Sequence, residues 1–457
     1  MARPSFALLA QKDRLMPDVS AASPRPVAAV PAWYAVCLFV TMFGLSFIDR
    51  LILSLLAPAI TVELGISDTQ IGLLFGLGFG VVYALMGLPL AHLIDKHRRI
   101  PLVAAGVALW SLCTVASGFA PNFFWLVILR SGVAIGEAVL SPAVISLIAD
   151  MFPREKRVLP TTIYTAAGAM MYTGALVFGG AALQLATAMS ATFALEPWQL
   201  TLILVGLPGL FLAPLLFLTV AEPDRVGDAK TEQFATVAQA LAYFRRERRL
   251  YVGFFIGVSA ISMCNTAKIA WTPTLLIRGH GMDAALAAYA FGTVGLASSF
   301  LGVLTWPTIV RLWTGRGRRD ALVAVFAGAV TVSWVCFGLI GLVSSPALLF
   351  VALGIGTFFS AALPVLAPLL IQLVTPGRIR ARAMALYLTA VGLVGLGLGP
   401  PLAAFIGERF FEGPFAIGLG MAGLVLVMGP VASVAIWSIR KPYRLALDQA
   451  DERENAA

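Results

Sequence analysis

The sequence predicts an all-α membrane protein with twelve transmembrane helices in two pseudo-symmetric six-helix bundles. The first observation is composition: 59% of the 457 residues are hydrophobic and only 12% are charged, compared with about 25% charged residues in an average soluble domain. The second is a series of long runs without charged residues. A helix needs about 20 apolar residues to cross a bilayer, so runs of this length indicate membrane spans. The third is a pattern shared by the two halves. Together they argue against a soluble enzyme and against a disordered chain.

Charge-free runs place most of the twelve spans, with the longest run divided at 344–346, and three apolar segments that contain charges, at 33–60, 122–150 and 250–277, complete the set. The predicted spans are 33–60, 70–94, 100–119, 122–150, 158–188, 198–221, 250–277, 284–310, 321–343, 346–375, 380–406 and 414–439. The resulting segments are a cytoplasmic tail at 1–32, a bundle at 33–221, a cytoplasmic linker with a short surface helix at 222–249, a second bundle at 250–439 and a cytoplasmic tail at 440–457.

The two halves share sequence patterns at equivalent places. The pattern Pro-x3-Arg-x6-Tyr occurs at 153–164 and again at 376–387, and paired arginines occur at 98–99 and 318–319. Two homologous six-helix halves around a central substrate site are typical of a secondary transporter that works by rocking one half against the other.

The basic residues predict the orientation. If the N-terminus is inside, the outer loops contain only Arg278 and Arg409 of the 32 lysines and arginines, and nearly all the others are cytoplasmic. This positive-inside distribution places both termini in the cytoplasm. It also explains the net charge of +9 without a nucleic-acid partner.

Five charged residues lie well inside the predicted spans, away from the span ends: Asp49, Arg50, Arg130, Glu137 and Lys268. Charges within the hydrocarbon are costly, so they are candidates for function. Arg130 and Glu137 are two helical turns apart and share a face. At 1.5 Å per residue, Asp49 and Glu137 lie about 24 Å and about 20 Å from the cytoplasmic ends of their helices, near the middle of the membrane.

We predict that Asp49 and Glu137 couple transport to protons, with Arg50 and Arg130 as their charge partners. Burial favours the neutral acid and a nearby guanidinium favours the carboxylate, so moving the arginine would link protonation to conformation. The structural alternative is that these pairs only hold the first helix against the fourth. With all five groups ionised the interior carries an excess positive charge, which favours an anionic ligand in contact with Arg130 and Lys268; alternatively, Lys268 snorkels or is unprotonated.

Other patterns are less specific. Tyr83, Tyr164, Trp271 and Tyr387 are candidates to line a substrate cavity, although aromatic residues in spans commonly only pack. Glycines at 72, 76 and 80 predict close helix packing. The cysteines and histidines show no metal-ligand spacing, and the sequence has no catalytic triad or phosphate loop. We therefore predict no cofactor, no metal and no enzymatic activity.

Several motifs resemble the major facilitator superfamily. The pattern Leu-x3-Arg-x5-Gly-Glu at 126–137 resembles the motif of its fourth helix, and 142–157 resembles the exit from that helix. The loop 95–99 resembles the signature between its second and third helices, although Ala91, Arg98 and Ile100 depart from that signature. The resemblance implies the major facilitator fold. It also implies a cytoplasmic gate, formed here by Asp95, Arg98, Arg99, Asp150 and Arg157.

Within that superfamily the chain is similar to the Spinster group. The similarity is carried by Phe-Ile-Asp-Arg at 47–50, the outer loop 65–72, Gly-Glu-Ala at 136–138 and Trp-Thr-Pro at 271–273. The resemblance implies a proton-coupled secondary transporter, and eukaryotic members handle lysophospholipids and sphingosine phosphate. The short outer loops indicate a bacterial homologue in the inner membrane.

The sequence therefore predicts alternating-access, proton-coupled transport of an amphiphilic, anionic, lipid-like small molecule. One alternative is proton-driven efflux of drug-like or hydrophobic cations, and another is a membrane receptor that binds a lipid without moving it. The expected partners are the bilayer, the substrate and protons. We expect a monomer that binds no nucleic acid.

Overall fold

A computed structural model of the protein describes residues 29–225 and 237–455, and helices account for most of them. Within these ranges, twelve segments are long and apolar enough to cross a membrane. This confirms the predicted all-α fold class. The predicted tail 1–32 lies almost entirely outside the described residues, and the first helix begins at Ala29 rather than at residue 33.

Short loops join the successive spans within each half, so neighbouring spans run antiparallel. The first half comprises α1 (Ala29–Leu64), α2 (Asp68–Leu73), a π-helical segment (Leu74–Val81), α3 (Val82–Lys96), α4 (Arg99–Ser117), α5 (Phe123–Ala138), α6 (Leu140–Met151), a 3-10 turn (Arg154–Lys156), α7 (Val158–Phe193) and α8 (Pro197–Thr219). The helix α9 (Val237–Arg246) follows in the linker.

The second half repeats this plan. It comprises α10 (Arg248–Arg278), α11 (Ala284–Gly315), α12 (Ala321–Leu342), α13 (Pro346–Ser360), α14 (Ala362–Val374), α15 (Gly377–Thr389), a second π-helical segment (Ala390–Leu396), α16 (Gly397–Phe410), α17 (Ala416–Ser438) and α18 (Arg440–Asn455). We call the end that carries loops 97–98, 152–157 and 316–320 the basic end. The end that carries loops 65–67, 118–122, 194–196 and 279–283 is the distal end.

Four spans are less regular than the sequence indicated. The fourth span is interrupted at Val139 and the tenth at Ala361. The second and eleventh spans contain the π-helical segments, which are rich in glycine and contact each other across the two halves. Local π geometry in a helix often accompanies function. Here it lies where the two halves approach each other.

The buried apolar residues form two main clusters. One lies in the basic-end part of the first half, around Phe39, Trp110 and Leu147. The other contains the distal-end part of the first half and continues into the second half. The two halves therefore share a continuous core at the distal end. Large apolar side chains such as Phe211 and Leu218 are exposed on the outside, as expected for a surface that contacts lipid.

Two helices outside the spans pack on the basic end of the second half. On α9, Ala240 is buried against Ile379, and Tyr243 donates a hydrogen bond to the carbonyl of Val374 at 3.2 Å. The helix α18 follows α17 directly, and Arg440 and Arg444 near its start pair with Asp320. Both helices are thereby held against the bundle.

Candidate functional site

Asp49 and Arg130 form a buried ion pair between α1 and α5. The Arg130 guanidinium donates to Asp49 Oδ1 at 2.8 Å and to the Asp49 backbone carbonyl at 3.2 Å. Thr114, on α4, donates its hydroxyl proton to the second carboxylate oxygen. Asp49 is 2% exposed and Arg130 is 1% exposed. This carboxylate is therefore fully paired and joins three helices.

The neighbouring residue on α1, Arg50, pairs with Glu137 on α5. Arg50 Nη2 donates to Glu137 Oε2 at 2.5 Å. Among the described residues, Glu137 Oε1 and Arg50 Nε are buried without a hydrogen-bond partner. Unlike Arg130, Arg50 retains 19% exposure of its side chain, whereas Glu137 retains 1%. This second pair is less completely satisfied than the first.

The two pairs form one cluster, which we call the crossed charge pairs: Asp49 with Arg130, and Arg50 with Glu137. An acid and a base adjacent on α1 meet a base and an acid on one face of α5. Glu137 also lies within electrostatic range of Asp49 and Arg130. The four charges sum to zero. Any excess positive charge in the interior would therefore have to come from Lys268.

Aromatic rings surround the exposed side of Arg50. Its guanidinium carbon lies 5.1 Å from the ring centre of Phe47, 4.7 Å from that of Phe79 and 5.2 Å from that of Tyr83. Tyr172, which the sequence analysis missed, packs edge-on against Phe47. Aromatic faces attract cations. Arg50 thus presents a charged group beside an apolar wall, which is the combination that an amphiphile requires.

The other predicted aromatic residues are occupied in packing in this conformation. Tyr164 stacks on Phe43 with ring centres 4.6 Å apart and shares a hydrogen bond with Ser141. Trp271 is fully buried, and its indole N–H donates to the carbonyl of Pro400 at 2.8 Å. Tyr387 is also buried. Of the four predicted residues, only Tyr83 contacts the crossed charge pairs, and the substrate role of the others stays a prediction.

Lys268 is buried inside the second half. Its ammonium nitrogen lies 3.4 Å from Thr357 Oγ1 and 4.9 Å from the ring centre of Phe337. In the described part of the chain no carboxylate pairs with it. The structure does not bring Lys268 into contact with the crossed charge pairs, and its predicted contact with the substrate stays a prediction.

The residues predicted to form a cytoplasmic gate lie at the basic end of the first half. Arg99 pairs with Asp150 and, through Nε at 2.9 Å, with Glu222, which also accepts the backbone N–H of Ile100 at 2.7 Å. Burial acts to raise the pKa of Glu222, but these hydrogen bonds outweigh it and hold that pKa below its usual value. The network stabilises the first half internally.

The remaining predicted gate residues also act within the first half. Arg157 donates to the carbonyl of Phe152 at 2.8 Å, and the carbonyl of Asp95 accepts from Arg225. Arg98 is exposed at the start of α4. Side-chain hydrogen bonds and ion pairs join the two halves at the distal end instead.

The distal-end contacts were missed by the sequence analysis. The Arg278 guanidinium, at the end of α10, donates to both carboxylate oxygens of Asp68 at 2.8 and 2.7 Å and to Thr61 at 2.6 Å. Thr69 donates to Glu408 on α16. The available signal was that Arg278 is one of only two basic residues assigned to the outer side. The halves are therefore closed at the distal end.

Glycines allow the closest backbone approach between the halves. A Cβ atom added at Gly76 would lie 2.2 Å from the carbonyl oxygen of Gly397, and one at Gly72 would lie 2.7 Å from Cα of Pro401. The close packing predicted from the glycine stripe thus occurs between the second and eleventh spans.

A groove lies at the distal end between α1, α7, α8, α10 and α11. Its volume is about 990 Å³, and most of its lining is apolar. Three carboxylate residues line it: Glu63, Glu196 and Asp283. Among the described residues that line it there is no lysine or arginine, so these carboxylates make the groove acidic.

Comparison with known proteins agrees with this architecture. The family model described as Major Facilitator Superfamily matches residues 35–343. An "MFS-type efflux pump" of Mycolicibacterium smegmatis is 29% identical over 421 residues, which cover 90% of this chain and 94% of that protein. The mouse "Sphingosine-1-phosphate transporter SPNS2" is 26% identical over 387 residues, which cover 80% of this chain and 68% of that protein.

A solved structure supports the fold. It is the crystal structure of a bacterial homologue of the human lysosomal transporter Spinster, described as inward-facing and unoccupied, with a TM-score of 0.77 and 24% identity. The match covers 91% of this chain and 99% of that one. The Spinster-like character predicted from the sequence is confirmed. The chain belongs to the Major Facilitator Superfamily, and it is a multi-pass membrane transporter of that family.

Proposed function

We propose that the protein transports an amphiphilic small molecule with an anionic head by alternating access, driven by protons. The observation that carries this proposal is the crossed charge pairs, in which Glu137 has one unpartnered oxygen and its partner Arg50 is partly exposed beside aromatic rings. We propose that it lies in an inner membrane with both termini on the cytoplasmic side. We also propose that it acts as a monomer.

In the proposed mechanism, Glu137 and the anionic headgroup of the substrate compete for Arg50. The Glu137 carboxylate and an anionic headgroup would bind the same guanidinium, because a planar guanidinium pairs with carboxylate and phosphate alike. Protonation of Glu137 removes its charge and releases Arg50 for the headgroup. By linkage, a bound headgroup makes proton uptake by Glu137 easier, and loss of the proton expels the headgroup.

Asp49 has a different role from Glu137 in the proposed mechanism. Arg130 and Thr114 both donate to it, so its carboxylate is held more firmly than that of Glu137. We assign Glu137 as the residue that carries the proton and Asp49 as a coupled acid that holds Arg130 near it. The two acids lie within electrostatic range of each other, so the charge on one affects the other.

The proposed mechanism also requires the substrate site to open to one side of the membrane at a time. The halves are joined at the distal end by Arg278 with Asp68 and by Thr69 with Glu408, and they share a core there. Alternating access requires these contacts to break when the basic end closes. The predicted gate residues Arg99, Asp150 and Arg157 lie at that end, on the half that would rotate.

Transport in proteoliposomes tests the proposal. A lysophosphatidic acid with a fluorescent acyl chain is the probe, and its flux is measured with and without an imposed pH gradient. We expect Glu137→Gln to abolish acceleration by the gradient while exchange of the probe without a gradient continues. Glu412→Gln, which neutralises an exposed loop carboxylate, is the matched control. Full gradient-driven flux by the double variant Asp49→Asn/Glu137→Gln would show that the pairs are only structural.

A second candidate function is proton-driven efflux of organic cations. The acidic distal-end groove supports it, because a negative mouth on an apolar wall suits a hydrophobic cation, and so does similarity to an efflux pump. Flux of tetraphenylphosphonium, measured in the same vesicles, distinguishes the candidates. Efflux of this cation that Glu63→Gln reduces, together with no flux of the lysolipid, would establish the second function instead.

A further inference from the structure

A small polar pocket lies at the basic end of the second half, between the loop after α11 and the start of α18. Its volume is about 360 Å³. Its lining consists of one glycine, four arginines and one aspartate: Gly317, Arg318, Arg319, Asp320, Arg440 and Arg444. The left-handed conformation of Gly317, with φ of +81°, turns the loop so that Arg318 and Arg319 face the start of α18.

Among the described residues, two carboxylates pair with arginines of this pocket. Arg440 Nε donates to Asp320 Oδ2 at 2.8 Å, and Arg444 Nη2 lies 2.9 Å from the same oxygen. Arg319 pairs with Asp448. These pairs involve Arg319, Arg440 and Arg444, whereas in the described part of the chain no carboxylate pairs with Arg318. Asp320 is 3% exposed, whereas half of the Arg444 side chain is exposed, so the positive groups face outward from the pocket and the aspartate lies beneath them.

Two tryptophans mark the depth of the pocket in the membrane. The Arg318 guanidinium lies 4.9 Å from the ring centre of Trp313, near the end of α11, and the Arg440 guanidinium lies 4.9 Å from that of Trp437, near the end of α17. Tryptophan at the end of a membrane span is typical of the headgroup layer. The arginines stacked on these rings are therefore at the level of lipid phosphates.

We propose that this pocket binds the phosphate of an anionic phospholipid from the leaflet at the basic end. Arginine forks match phosphate oxygens, and basic pockets beside helix ends on the cytoplasmic side suit anionic headgroups. A phosphate held between Arg318 and Arg444 joins the loop after α11 to α18. The lipid thereby fastens α18 to the second half, separately from the substrate site at the crossed charge pairs.

Binding to the purified full-length protein in a neutral detergent tests this proposal. The probes are dioctanoyl phosphatidylglycerol, dioctanoyl phosphatidylcholine and inorganic phosphate, each titrated separately. The test variant is Arg318→Gln/Arg444→Gln. The control is Arg311→Gln/Arg316→Gln, which removes the same number of charges from exposed positions at the same end that do not line the pocket. The control therefore measures the general loss of attraction to an anionic surface.

We expect phosphatidylglycerol to bind the wild type more tightly than phosphatidylcholine or phosphate does. The test variant should bind it at least about tenfold more weakly than the control variant does, because two charge-assisted hydrogen bonds are lost. Equal losses in the two variants, or equal affinities for the two lipids, would overturn the proposal. Inorganic phosphate that binds as tightly as phosphatidylglycerol would overturn the assignment to a lipid and identify a site for soluble anions.

A single substitution, Arg318→Gln, tests the site even if the double variant does not fold. Arg318→Gln leaves both contacts of Asp320 in place, so the seat of α18 is retained. It should still weaken binding of phosphatidylglycerol by several-fold relative to Arg316→Gln. Unchanged affinity in Arg318→Gln would contradict the proposed site even if the double variant does not fold.

Discussion

Arg278 donates through one nitrogen to both carboxylate oxygens of Asp68, at 2.8 and 2.7 Å, and so joins the end of the seventh span to the start of the second. The contact crosses between the two halves and lies at the distal end. The two halves also share a buried apolar core at this end. The molecule is thus in a state closed at one end, and this ion pair is one of the contacts that must break for the other state to form.

Arg278→Gln should shift the protein towards the state open at the distal end. Partly exposed ion pairs contribute about 1 kcal/mol, so the population ratio should change roughly fivefold. The measurement is the distance distribution between spin labels at residues 119 and 412, in a background without the four native cysteines. Arg409→Gln, an exposed arginine at the same end, is the control. Identical distributions in wild type and Arg278→Gln would contradict the role of this pair.

Gly76→Ala should prevent closure of the distal end. The added Cβ would meet the carbonyl oxygen of Gly397 at 2.2 Å, which forces the second and eleventh spans apart. Overpacking of this kind costs about 1–3 kcal/mol. The same spin-label distances should lengthen, and transport should slow. Gly87→Ala is the control, because a Cβ there meets nothing within 4 Å; similar effects of both substitutions would argue against a specific contact.

Arg130→Gln should destabilise the protein strongly. Removing one member of a buried pair leaves the other charge uncompensated, at a cost of about 3–5 kcal/mol. The double variant Asp49→Asn/Arg130→Gln should recover much of this loss, because both charges are then absent. Thermal unfolding of the single and double variants in detergent forms a double-mutant cycle. Additive effects of the two substitutions would indicate that the pair contributes no coupling energy.

Lys268→Met should leave the melting temperature unchanged or raise it. The ammonium group is buried without a carboxylate partner among the described residues, and replacing a buried charge by an apolar side chain of similar size is often neutral or stabilising. Thermal unfolding checks this. The transport assay tests the predicted contact between Lys268 and the substrate. A KM for the lysolipid that is about tenfold higher in Lys268→Met would confirm the contact, and an unchanged KM would exclude it.

Glu222→Gln should lower the melting temperature at pH 7 but not at low pH. The folded-state pKa of Glu222 is held below its unfolded value of about 4.3, so the charged form stabilises the fold above that pH. This contribution is lost as the pH falls through the lower, folded-state pKa. The melting temperatures of the two proteins should therefore converge below about pH 4. A difference that is constant from pH 7 to pH 3 would indicate that the carboxylate charge is not responsible.

The predicted interior charges show how far sequence reasoning reached within the site. It identified Asp49, Arg50, Arg130 and Glu137 because charges in apolar runs are conspicuous, and the resemblance supported them. It did not identify which acid pairs with which base. Nor did it find Tyr172, because a tyrosine in an apolar run looks the same in the sequence whether it packs or lines a site.

The sequence by itself determined the twelve spans, the all-α fold class and the two related halves, because the cost of placing a polar group in lipid acts on each segment separately. Only the tertiary structure decided that Arg50 meets Glu137, that Trp271 is buried against Pro400 and that Arg278 reaches Asp68. These contacts depend on the rotation and depth of helices that are distant in sequence. Packing of the whole bundle sets those quantities, and no local pattern of residues encodes them.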